Sequence, residues 1–168
     1  VVIQQMGRFE EALRSYRNAA RVHPEVATSF FNMAKAYQDV GRVRDAIAMF
    51  RRAVIVKPDF YEAKASLAGA LTPLRLWGKA VELLEEAMTL RPDNAEGLYL
   101  LAFALMHVCG WDKLQGVMQR LRGAVDTRVA SNQPPGVEPY ATLTFPWHPL
   151  SLLSVARHHS QAASSLVR

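Results

Sequence analysis

Small, bulky and helix-breaking positions recur along the 168-residue chain with a step of 34 residues. Ala12, Ala46 and Ala80 keep that step, and so do Ala19, Ala53 and Ala87. A bulky apolar residue stands at one shared phase: Tyr16, Phe50 and Leu84. Pro24, Pro58 and Pro92 close each period, and Gly7 matches Gly41. A period of this length predicts a helix–turn–helix unit that buries its apolar face only by stacking on neighbours. Alanine lets two helices approach closely, and the bulky residue fills the gap between hairpins. Glycine suits the turn between helices. Proline cannot continue the second helix and fixes its end. Pro58-Asp59 and Pro92-Asp93 then place an acidic residue near the next helix start, where the helix dipole favours it.

These columns resemble the tetratricopeptide repeat. The resemblance implies an all-α fold: a tetratricopeptide helical-hairpin solenoid, followed here by a Pro-rich connector and a short helix. Residues 1–125 form the array, 126–149 the connector and 150–168 the closing helical segment. The expected helices span 8–22, as the second helix of a partial first repeat, then 27–40 with 43–56 and 61–74 with 77–90. A divergent last pair spans 95–109 and 111–125. In the third repeat Arg75 replaces the turn glycine, and Pro73 shortens the first helix. The last repeat has Leu114 at an alanine column and lacks the closing proline, as suits the end of a stack.

Half of the residues are hydrophobic and 21% are charged, enough for a sizeable core in a soluble chain. No apolar run reaches the roughly 18 residues of a membrane span; the stretch from Leu98 is interrupted at His107. The chain opens on Val1 within a helical pattern and shows no signal peptide, which reads as a piece of a longer protein. A single cysteine, Cys109, precludes an internal disulfide and suits a reducing compartment. Near the turn it reads as a small buried hydrophobe. Net charge is +5, but arginines are spread over every segment and only Arg51-Arg52 are adjacent. Solvated helix faces explain this better than a nucleic-acid interface.

The first helix of each pair lines the concave side of such a stack. That nominates a groove of Thr28, Phe31, Asn32, Lys35 and Gln38, then Glu62, Ala65, Ser66 and Gly69, then Glu96, Tyr99, Phe103 and His107. The expected partner is a protein or peptide client. An Asn32 amide offers a donor and an acceptor to an extended backbone at once; a solvated or locally capping asparagine is the alternative. A clamp for a C-terminal carboxylate is disfavoured, because only Lys35 and Asn32 suit it while Glu62 and Glu96 oppose it.

The tail carries a second resemblance. Val108-Cys109-Gly110-Trp111 closes the last repeat; Val137-Glu138-Pro139-Tyr140, Phe145-Pro146 and Pro149 follow. A segment with Leu150, Leu153, Val155 and Ala156 then reads as helix and ends in Arg157-His158-His159. This order resembles the entry into the catalytic region of protein O-GlcNAc transferases, most nearly the plant type called SECRET AGENT. The resemblance implies a parent glycosyltransferase that moves N-acetylglucosamine from UDP-GlcNAc to Ser or Thr of cytoplasmic and nuclear proteins. It implies recruitment of substrates by the repeats, a homodimer through them, and no metal. The two Rossmann-like lobes that bind the donor have no counterpart here, so no cofactor and no catalytic residue is expected in the chain itself. Tyr140 stands where animal members have a histidine; it either lines the cleft or packs.

Other chemistry is weak. His148, His158 and His159 lack acidic or cysteine partners at ligand spacing, so no metal is expected. Ser154, Ser160, Ser164 and Ser165 lack an arranged base, so no nucleophile is expected. Trp77 and Trp111 read as packing anchors. The alternative to the transferase reading is a stand-alone adaptor without enzymatic activity.

Overall fold

The structure, a computed structural model, describes residues 2–131, 133 and 134, with side chains from residue 9 onward. Among these residues all regular structure is helical: α1 (Val2–Val22), α2 (Ala27–Asp39), α3 (Val43–Val56), α4 (Tyr61–Leu71), α5 (Trp77–Leu90), α6 (Ala95–His107) and α7 (Trp111–Ala130). A short 3-10 turn, Thr72–Leu74, extends α4. The helix starts repeat the sequence period. Those of α2, α4 and α6 fall 34 residues apart, and so do those of α3, α5 and α7. Three second helices, α1, α3 and α5, each end two residues before the proline of their period.

The chain forms two compact units, Val1–Leu90 and Arg91–Arg168. In the first, α1 packs on α2, α2 on α3, α3 on α4, and α4 on α5. In the second, α6 packs on α7. The alanine columns explain how the first unit closes. Ala46, Ala53, Ala80 and Ala87 have no exposed surface, and neither have Phe50 and Leu84 at the bulky phase. A further column, Ala34 and Ala68, is equally buried on the first helices; Ala102 holds the same phase in the second unit.

The hairpin turns share one hydrogen-bond closure. Arg42 N–H donates to the Tyr37 carbonyl at 2.8 Å, Leu76 N–H to Leu71 at 3.3 Å, and Gly110 N–H to Leu105 at 2.9 Å. Such a six-to-one bond requires a left-handed residue just before the donor. Those residues are Gly41 (φ 75°), Arg75 (φ 56°) and Cys109 (φ 55°), again 34 apart. The geometry is thus kept where glycine is lost.

Several expectations need correction. Gly7 forms no turn: α1 runs through it from Val2. A lone glycine weakens a helix interior by about 1 kcal/mol but does not break it. The first helices end at Asp39 and His107, short of the expected 40 and 109, because the left-handed closure consumes those positions. Pro73 acts as expected: α4 stops at Leu71 and tightens into 3-10 geometry. The last helix outruns its expected end, reaching Ala130, because no proline precedes Pro134 there. Cys109 is exposed, not buried, since it occupies the left-handed turn. Trp111 keeps 59% of its surface exposed and is no packing anchor; it opens α7 at the rim of the hairpin. Ala19 is exposed although its column is buried elsewhere, because α2 is the helix packed against α1. Most of the connector and all of 150–168, with Tyr140, the Pro-rich motifs, His148, His158, His159 and the late serines, lie outside the described residues.

Candidate protein-binding faces

In the first unit, α2 presents Thr28, Asn32, Lys35 and Gln38 at helical spacing, and all four are exposed. Steps of three or four residues keep a stripe on one face of a helix. Phe30, Met33 and Tyr37 occupy the opposite, buried face. The side chain of Asn32 makes no hydrogen bond among the described residues, which removes the capping alternative. Lys35 forms no ion pair among them either. A mid-helix asparagine without a local partner keeps both its donor and its acceptor available to solvent or a ligand.

Phe31 is half-buried. Its ring centroid lies 5.7 Å from Phe50 and 5.1 Å from Phe60. The cluster joins α2, α3 and the residue before α4, so the Phe31 ring is engaged in packing. On α4, Glu62, Ala65, Ser66 and Gly69 are half-buried. Glu62 has an interaction partner of its own.

The second unit sets its own face. Asn94 caps α6, its side-chain oxygen accepting from Gly97 N–H at 2.8 Å. Glu96 is exposed on the first turn, while Tyr99 and Phe103 are half-buried. Tyr99 and Phe103 stack with centroids 6.3 Å apart at 26°. His107 continues the ladder, 4.6 Å from Phe103, with Nδ1 2.9 Å from the Phe103 carbonyl. It packs on its own helix, exposed.

Among the described residues no group of three His, Cys, Asp or Glu side chains is placed to hold a metal, and no helix is long and apolar enough to cross a membrane.

Sequence reasoning missed Lys64. Only 10% of its side chain is exposed, and Nζ pairs with Glu86 Oε2 on α5. The signal was present: Lys64 stands at the phase of Phe30 and Leu98, both buried, so a charge there demands a partner.

Residues 31–95 match the family model for the tetratricopeptide repeat. This is the fold. Helix boundaries, buried alanine columns and turn closures are those of tetratricopeptide hairpins throughout the described residues. The solved structures agree. The chain is similar to the crystal structure of MamA, at 17% identity over 98% of this chain and 95% of that one, with a TM-score of 0.67. MamA residues 41 to the end from Desulfovibrio magneticus RS-1 gives 19% identity, 96% and 87% coverage, and 0.65. The first tetratricopeptide domain of Spaghetti (RPAP3), bound to the HSP90 peptide SRMEEVD, gives 21% identity, 62% and 82% coverage, and 0.58. At such identities the likeness is one of fold. Comparison with curated protein sequences finds no match.

Proposed function

We propose that this chain is a protein-interaction module that holds an extended segment of a partner protein against the exposed face of α2. The observation that carries the reading is the stripe of Thr28, Asn32, Lys35 and Gln38, polar, exposed and, at Asn32 and Lys35, without partners among the described residues. Asn32 supplies a donor and an acceptor to the segment's peptide bond, and Lys35 favours an acidic or carbonyl-rich partner. In the second unit, Glu96, exposed on the first turn of α6, offers a face of opposite charge, suited to cationic side chains. The Spaghetti structure with its bound HSP90 peptide supports peptide recognition as a use to which this fold is put. The test is selection of peptides from a random library on the 168-residue chain. Selected peptides should lose at least about tenfold in affinity on Asn32→Ala, the range expected for buried amide–backbone bonds. Peptides that bind Asn32→Ala and Lys35→Ala as tightly as the parent would place the site elsewhere.

The narrower reading concerns the parent protein. We infer that the repeats recruit protein substrates for an O-GlcNAc transferase-like enzyme that uses UDP-GlcNAc in the cytoplasm or nucleus, with a homodimer formed through the repeats. Its support is the order of Val137-Glu138-Pro139-Tyr140, Phe145-Pro146 and Pro149 after a divergent last hairpin. Expression of the full coding sequence with UDP-GlcNAc and a Ser/Thr peptide tests it. Transfer by the full-length protein but not by the 168-residue chain supports the reading; a full-length protein without transfer leaves the adaptor.

A further inference from the structure

The strongest unassigned feature lies on the other side of α2. A cavity of about 360 Å³ opens among α1, α2 and α3. Phe30 and Met33, both buried, and the half-buried Met49 form its apolar wall, and Arg17, Arg21 and Arg52 line it as well. No acidic residue lines it. None of the three guanidinium groups forms an ion pair among the described residues.

Two of these arginines are held in place by neutral groups. Arg17 Nη2 donates to the Tyr37 hydroxyl at 3.3 Å, and the Arg52 guanidinium sits 5.0 Å over the Phe30 ring. Each contact orients the side chain and leaves most of its five N–H donors unused. Arg21 makes no side-chain hydrogen bond or ion pair among the described residues. The acidic residues nearby do not neutralise the site. Glu10 attracts Arg17 without forming an ion pair, and Glu25 is engaged by His23 Nδ1 at 3.1 Å. Three positive charges around an apolar recess favour one kind of guest, an anionic head on a methylene stem. Guanidinium forks match carboxylate geometry and gain most where water is partly excluded.

We infer that this cavity takes a glutamate side chain of a partner protein, its carboxylate held by Arg17, Arg21 and Arg52 and its methylenes against Phe30, Met33 and Met49. The site faces away from Asn32 and Lys35, so it stands whether or not the α2 stripe binds a peptide.

Titration of terminally blocked hexaglutamate into the 15N-labelled 168-residue chain, read on the arginine Nε–Hε signals, tests it. The signals of Arg17, Arg21 and Arg52 should move together. Arg21→Gln should weaken binding about tenfold, the value of one charge-assisted hydrogen bond. Arg44→Gln, the same charge change at an exposed position on α3, should weaken it less than about twofold, as for a distant screened charge. Ala20→Trp fills the recess and should abolish binding with all three arginines present. Asn32→Ala should leave it unchanged. The inference is overturned if acetate at matched carboxylate concentration shifts the same signals as strongly, or if Arg44→Gln and Arg21→Gln weaken binding equally. Parental affinity in a folded Ala20→Trp overturns it too. Arg21 is exposed and has no side-chain partner among the described residues, so its substitution decides the matter even where Ala20→Trp does not fold.

Discussion

Lys64 puts a charge where the repeat otherwise places a buried apolar residue, and its consequences can be worked out in advance. Its side chain is 10% exposed, whereas that of its partner Glu86 is 58% exposed. A fully buried ion pair loses about 3–5 kcal/mol when one partner is removed, and a surface pair about 0.2–1 kcal/mol. With one group buried and the other largely solvated, Glu86→Gln should cost about 1–2 kcal/mol, since the buried ammonium loses its counter-charge while helix propensity is unchanged. That lowers the melting temperature by roughly 3–6 °C in a chain of this size. Lys64→Met behaves differently. It keeps the unbranched stem, removes the charge, and leaves Glu86 to hydrate freely. It should change stability by less than about 0.5 kcal/mol, as should the double variant, because a buried pair exchanged for apolar volume is near neutral. Thermal and urea unfolding followed by far-ultraviolet circular dichroism, arranged as a double-mutant cycle, measures the coupling. A Glu86→Gln variant as stable as the parent, or a Lys64→Met variant less stable than Glu86→Gln, refutes the reasoning.

Four further outcomes follow from the packing and the turns. Phe50→Ala empties a site with no exposed surface and should cost about 3–5 kcal/mol, visible as a large fall in the urea midpoint. Arg75→Gly relieves a left-handed non-glycine residue at φ 56° and should stabilise by about 0.5–1 kcal/mol, the left-handed penalty less the entropy of glycine. Gly41→Ala should do the reverse by about 1 kcal/mol, from the backbone alone, because an added Cβ meets nothing within 4 Å. Gly110→Ala should cost about 1–3 kcal/mol by overpacking, since its Cβ would lie 2.8 Å from Leu105 Cδ2, a buried side chain; thermal melts rank the three turn variants.

Much of the molecule was legible along the chain. The 34-residue columns of alanine, bulky residue and proline gave helix count, pairing and most boundaries, because each column reports a local steric demand that recurs in every hairpin. Pro73 announced the shortened α4 for the same reason: a missing N–H acts on its own turn. The candidate stripe on α2 also followed from spacing, since helix periodicity alone puts Thr28, Asn32, Lys35 and Gln38 on one side.

What the sequence could not supply depends on partners distant in the chain. Cys109 and Arg75 adopt the glycine conformation because the closure onto Leu105 and Leu71 imposes it, overriding their own preference. Phe31 reads as a groove residue from its phase, yet its ring packs on Phe50 and Phe60. The ion pair of Lys64 spans 22 residues, and the arginine-lined recess gathers side chains from three helices. Short-range sterics fix helices and turns one period at a time; which faces are left open, and which charges meet there, is settled only when the helices pack.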